Sequence, residues 1–257
     1  MKQEPDEGLA AGAGLDAADP RVAALLGDAL VPVVAFASEL AVEGVLRGLV
    51  GPREVPILWE RHLINSAAVA QLLPETGTLV DVGSGAGLPG VVLAAMRPAM
   101  RVVLLEPMER RVTWLLHVRE LTGLDNIEVL RGRAEDVHGS IEADVVTARA
   151  VAPMERLAGW TLPFLVRGGV LLALKGRQAG TELEAAATAL AGWGGDAGEV
   201  LTLSSITGVE PTTVVRVVRT DVASPPAAPT SAAKGGGARR SATSTSSRRG
   251  RPRGPRT

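Results

Sequence analysis

Residues Leu79–Gly90, reading LVDVGSGAGLPG, constrain the fold of this chain more than any other stretch. A short apolar run, Thr78–Gly83, leads into the glycines, and Leu88–Met96 follows with helical character. Strand, glycine loop and helix in that order build the ligand-facing turn of an open α/β sheet, where ligands bind beyond the carboxyl ends of the strands. Gly83, Gly85 and Gly87 let the backbone turn tightly and approach a ligand closely. The spacing Gly85-x-Gly87-x-x-Gly90 also fits a dinucleotide fingerprint. The loop alone therefore leaves two cofactors open, a dinucleotide and S-adenosylmethionine (SAM).

The rest of the chain supports the same class. Downstream of the loop, strand-like runs at Arg101–Glu106, Asn126–Gly132, Ala143–Ala148 and Gly168–Gly176 alternate with helical stretches at Met108–Leu121, Pro153–Leu165 and Glu182–Ala191. Such alternation predicts a mainly parallel sheet. Val200–Leu203 and Thr212–Arg219 follow without a helix between them, so they are expected to close a seven-stranded sheet as an antiparallel pair. Upstream, apolar residues recur at helical spacing from Arg21, with Pro32 as a point where that helix is expected to kink or divide, and a second helix is expected over Glu54–Leu73. The expected organisation is a disordered start over 1–20, a helical cap over 21–75, a catalytic domain over 76–222 and a disordered basic tail over 223–257.

Composition narrows the chemistry. There is no Cys, which excludes disulfides, thiolate metal sites and a cysteine nucleophile. His62, His117 and His138 are too scattered to suggest a metal centre. With two Phe, four Trp and no Tyr, a base-stacking RNA module is disfavoured. The net charge of −1 hides an asymmetry: eight of the 27 basic residues lie in 223–257, which holds no acid, leaving 19 basic against 28 acidic residues in 1–222. A basic tail on an acidic body points to a polyanionic partner, with weak, sequence-independent attraction expected of the tail. No apolar run of about 18 residues free of charges and breakers is read, and the acidic N-terminus does not resemble a secretory signal, so a cytoplasmic protein with no membrane segment is expected.

Acidic residues at successive strand ends favour SAM over a dinucleotide. Asp81 lies inside the first strand, two residues before Gly83, where a carboxylate can receive the cofactor's cationic amino group directly or through water. Glu106 ends the second strand and is placed to hold ribose hydroxyls, a role that acids also play in NAD enzymes. Ala134, Glu135 and Asp136 follow the third strand, where the adenine edge is expected. The helix-less final pair is also unlike the second half of a dinucleotide domain. An NAD-dependent oxidoreductase, a non-catalytic RNA-binding factor and a small-molecule methyltransferase remain alternatives on these residues alone.

The segments LVDVGSGAGLPGVVLAAMRP, VVLLEPMERRVTWL, VLRGRAEDV, ARAVAPMERLAGW and LLALKGR, with VEGVLRGLVGPREVPILWERHLINS before them, resemble the RsmG (GidB) family, ribosomal RNA small subunit methyltransferase G, in its actinobacterial form. The similarity runs from about Phe36 to Arg219. It implies a Rossmann-like class I SAM-dependent fold and methylation of guanine N7 in the decoding-centre loop of 16S rRNA. The expected partner is 16S rRNA or the small ribosomal subunit, with no metal, and the expected form is a monomer. Carried onto this chain, the family's SAM contacts fall on Gly83, Leu88, Ala134, Glu135 and Arg149. The family segment usually has Ser where this chain has Ala148, so one hydroxyl is missing beside Thr147.

Guanine N7 carries a lone pair and no proton, so its methylation needs positioning and electrostatics rather than a general base. Arg149, at the end of the fourth strand, is the basic residue expected to face both cofactor and acceptor. Arg61, His62, Arg110, Arg111, Lys175 and Arg177 are the leading candidates for RNA contact, with Arg53 and Arg97 also considered. Trp59, Trp114 and Trp160 are read as core residues.

Overall fold

The computed structural model describes residues 15–220; the expected disordered tail and residues 1–14 of the expected disordered start lie outside the described residues. The chain opens with helices α1 (Pro20–Leu26) and α2 (Leu30–Glu39), joined by a 3-10 turn. Asp19 caps α1 by accepting from the Arg21 N–H, and Pro20 takes the first helical position, where its missing N–H costs nothing. The segment divides at Gly27–Ala29, where Gly27 takes φ +51°, and Pro32 falls in the first turn of the new helix α2, where proline is tolerated. Leu15, assigned by sequence to the disordered start, is buried, and its N–H donates to Glu60.

Pro20–Gly44 is a helical stretch of 25 residues that contains an 18-residue window of mean hydropathy 1.8, although Arg21, Asp28, Pro32, Glu39 and Glu43 interrupt its apolar character. Its inner side, including Val22, Val33, Phe36 and Leu40, is buried in the protein's own core. The expected second helix is instead a mixed run. It has a 3-10 stretch over Pro52–Ile57, a wider π-type turn over Trp59–Ile64 and the short α3 (Asn65–Ala68). Pro56 removes one backbone donor there, so no regular α-helix forms at the start.

Strands β1 (Gly77–Val82), β2 (Met100–Glu106), β3 (Ile127–Arg131), β4 (Ala143–Arg149), β5 (Leu165–Lys175), β6 (Glu199–Leu203) and β7 (Thr212–Val218) form one sheet in the order β3-β2-β1-β4-β5-β7-β6. The five strands from β3 to β5 are parallel, and β7 joins β5 and β6 antiparallel, as the sequence predicts. The chain runs outward from β1 in one direction and from β4 in the other, so the topological switch lies between them. Strand β5 begins at Leu165 rather than Gly168. Pro163 closes the preceding helix, and Gly168–Gly169 sit in an irregularity where the β4–β5 register shifts.

Alternation along the strands divides the core between two faces. Leu79, Val102, Leu104, Val145 and Leu172 face the N-terminal helices, α4 (Gly90–Met96) and α5 (Glu109–Thr122). Val80, Val103, Leu105, Val146 and Leu171 face α6 (Met154–Thr161) and α7 (Ala179–Gly192). The helical residues assigned to a cap share the first of these cores rather than forming a separate one. Phe36 joins the two regions, because a Cβ placed on Gly87 would lie 3.3 Å from its Cζ. Phe36→Ala is expected to cost about 3–5 kcal/mol in urea unfolding, by loss of buried area and creation of a cavity. Val42→Ala, on the solvent side of the same run, is expected to stay within about 0.5 kcal/mol of the parent.

Candidate functional site

The carboxyl ends of β1, β2, β3 and β4 converge on a cavity of about 810 Å³ at the topological switch. Gly83 and Gly85 line it, with φ of +72° and +56°, a region that side chains other than glycine rarely adopt. A Cβ on Gly83 would lie 3.0 Å from Val151, so the loop is as close to the loop after β4 as backbone alone permits. Gly87 does not line the cavity. It is buried against Val91 and Phe36 and lets the loop lie on the helical layer.

Asp81 is completely buried and does not line the cavity. Alternation aims its side chain to the same face as Leu79, beneath the start of α4, so the carboxylate stands behind the glycine loop rather than on the cavity lining. One carboxylate oxygen accepts from Thr147 Oγ1 at 2.9 Å and the other from the Gly90 N–H at 3.3 Å. Burial pushes the carboxyl up to about 6, against the opposing pull of these hydrogen bonds. Gly90 has no substitute here, since a Cβ would lie 2.7 Å from the Asp81 carboxylate. Thr147 thus supplies the hydroxyl this region uses, while Ala148 points to the opposite core.

Glu106 is 1% exposed and lies on the cavity wall. Its oxygens accept from the Gly85 N–H and the Met108 N–H, both at 3.0 Å, so the carboxylate is fixed in place with lone pairs to spare. Arg111, proposed from sequence as an RNA contact, lies 3.7 Å from Glu106 on the same wall. Leu88, Ala134 and Glu135 also line this cavity.

Beside it is a second cavity of about 640 Å³, with Arg61, Lys175 and Arg177 on its lining. Lys175 is held by Glu182 at 2.8 Å and by the Ala152 carbonyl at 2.6 Å. Arg110 lines neither cavity and is exposed on the first turn of α5. Arg53 is exposed and Arg97 donates to the Ala70 carbonyl, so neither joins the site. The two cavities share Glu54, His62, Arg149, Ala150 and Val151.

At that shared wall Arg149 donates to the carbonyls of Arg61 and His62, at 3.2 and 3.4 Å, and to His62 Nδ1. His62 Nε2 lies 2.8 Å from a Glu54 carboxylate oxygen. Burial and then the Arg149 charge hold the imidazole below its usual range, which keeps it neutral. Burial likewise lowers Arg149, opposed by the charges of Asp81 and Glu54. Ala150, the next residue, has φ +54°, a strained setting for alanine that the wall imposes.

Sequence reasoning missed Glu54, the Ala150–Val151 loop and Trp160. Trp114 is core as expected, but Trp160 is half-buried and lines the first cavity. Glu54 had no detectable signal, because its segment changes helical type between it and His62.

Residues 31–205 match the model of the GidB family, described as rRNA small subunit methyltransferase G. A ribosomal RNA small subunit methyltransferase G of Thermobifida fusca is 53% identical over 196 residues, covering 76% of this chain and 83% of the relative. The protein of the same name from Beutenbergia cavernae is 52% identical over 193 residues, covering 75% and 91% respectively. Neither the oxidoreductase nor the non-catalytic alternative finds support in these matches. With the family model spanning most of the described fold and both cavities built largely from the matched segment, the chain belongs to the rRNA small subunit methyltransferase G family.

Proposed function

We propose that the protein transfers the methyl group of SAM to N7 of a guanine in the decoding-centre loop of 16S rRNA. The observation that carries this reading is the pair of adjoining cavities, one with the glycine loop and Glu106, the other with basic residues, meeting at Arg149. SAM fits the residues present in the first. The backbone of Gly83 and Gly85, the bare approach that a Cβ at Gly83 would fill, and the fixed Glu106 carboxylate would hold its amino acid and ribose parts. Leu88, Ala134 and Glu135 would border the adenosine. When bound, SAM supplies an electrophilic sulfonium methyl group.

The chain's own part is positioning. Arg149 would orient the base at the junction, Lys175, Arg61 and Arg177 would offset phosphate charge in the second cavity, and no residue needs to remove a proton from N7. Arg111, ion-paired with Glu106, would serve the cofactor rather than the RNA. The substrate is 16S rRNA or the small subunit, and the cytoplasm is where it is met.

Calorimetric titration with SAM and NAD separately tests the cofactor: SAM binding is expected, and NAD binding without SAM would contradict the proposal. Gly83→Asp is expected to abolish SAM binding, because its side chain meets Val151 and adds a negative charge to the loop, while circular dichroism stays that of the parent.

The pH dependence has a definite sign. Asp81, raised to about 6 in the unliganded protein, is neutral at pH 5 and ionised at pH 7. A cationic ligand favours the ionised form, so SAM affinity is expected to rise with pH up to about 6–7 and level off. The same titration of Asp81→Asn is expected to lose that rise; an identical pH profile in both proteins would contradict the assignment.

A further inference from the structure

Arg149 stands where the two cavities meet, and what aims it is another side chain. Its guanidinium has two carbonyl partners and the His62 Nδ1 atom. A guanidinium has only donors, so His62 Nδ1 must carry a lone pair and the imidazole proton must sit on Nε2. Nε2 faces the Glu54 carboxylate at 2.8 Å, a partner that only accepts. The three side chains form one directional chain, Arg149 to His62 to Glu54, joining the end of β4 to the 3-10 stretch over Pro52–Ile57.

We propose that Glu54 is a positioning residue for methyl transfer: it holds His62 in the Nε2–H form, and His62 in turn aims Arg149 across the junction of the cofactor and acceptor cavities. The proposal rests on the functional reading above and adds a residue to it. The other tautomer, or the doubly protonated ring, would turn an N–H toward the Arg149 N–H and displace the guanidinium. Glu54 is half-buried on the wall of both cavities, so removing its carboxylate leaves the core untouched.

The charged groups around the imidazole are few. Glu54 and Arg149 touch it, Arg61 is its neighbour in sequence and is paired at 3.6 Å with Glu210, and the charge of Asp81 acts on Arg149. Glu54 works to raise the His62 affinity for protons, against burial and the two arginines. Loss of its charge without loss of its acceptor therefore lowers that affinity further.

The test combines nitrogen-15 imidazole spectra with methyl-transfer kinetics on small-subunit rRNA. Wild-type His62 is expected as the Nε2–H tautomer at pH 7.5. Glu54→Ala is expected to mix the tautomers and lower kcat by roughly tenfold to a hundredfold, with KM for SAM within about twofold. Glu54→Gln retains an acceptor for Nε2–H. It is expected to keep the tautomer, to lose much less of kcat, and to move the acid limb of the kcat profile to lower pH. Asp81 also titrates near this range, but the Gln variant leaves its surroundings unchanged, so a displaced limb reports His62. Unchanged tautomer and kcat in Glu54→Ala, or an unmoved limb in Glu54→Gln, would overturn the inference while leaving the enzyme assignment standing. A wild-type protein that methylates no rRNA overturns the functional reading, and the spectra then show separately whether Glu54 sets the tautomer.

Discussion

The carboxylate of Asp81 is held out of water by Thr147 on the neighbouring strand and by the backbone of Gly90 at the start of the next helix. An ionised group in that position is costly to bury, and burial accordingly raises its proton affinity. The Ser84 hydroxyl donates to the Asp81 carbonyl, so side chain and backbone of one residue tie together β1, β4, the glycine loop and α4. The loop can then close on itself only with glycine at the turning positions and at the helix start. The close approaches of Gly83 to Val151 and of Gly90 to Asp81 follow from that tie.

From this anchor the site is built in two directions. Toward β2, the loop N–H of Gly85 fixes the Glu106 carboxylate, which borders the first cavity. Toward β4, the chain passes from Thr147 to Arg149, whose guanidinium is taken up by His62 from the N-terminal helical segment. That segment is therefore part of the site as well as of the core. Phe36 packs beneath the glycine loop, and His62 and Glu54 line the wall that both cavities share.

Much of this was legible in the sequence. The change from helical to strand periodicity at Thr78, and the two final strands without a helix between them, gave the parallel sheet with its antiparallel end. Glu106 and Arg149 each end a buried strand, β2 and β4, so their place at the cavity followed from strand polarity. What strand periodicity leaves open is how far a side chain reaches from its backbone. Asp81 was read inside the first strand with reach to the cofactor directly or through water, and alternation turns its side chain under α4. Arg111 was one of the basic residues read as candidate RNA contacts, and its approach to Glu106 depends on the packing of α5 against β2. Glu54 and Trp160 reach the cavities through an irregular helical run and a helix docked on the opposite face, neither of which a local pattern encodes.

The central claim is that the two cavities serve one direct methyl transfer to a ring nitrogen. Mass spectrometric mapping of small-subunit rRNA, incubated with the purified protein and isotopically labelled SAM, measures this most directly. The account predicts a single labelled methyl group recovered as 7-methylguanosine in the decoding-centre loop. Label recovered on a ribose, on a cytosine or on an amino group, or no label at all, would contradict it.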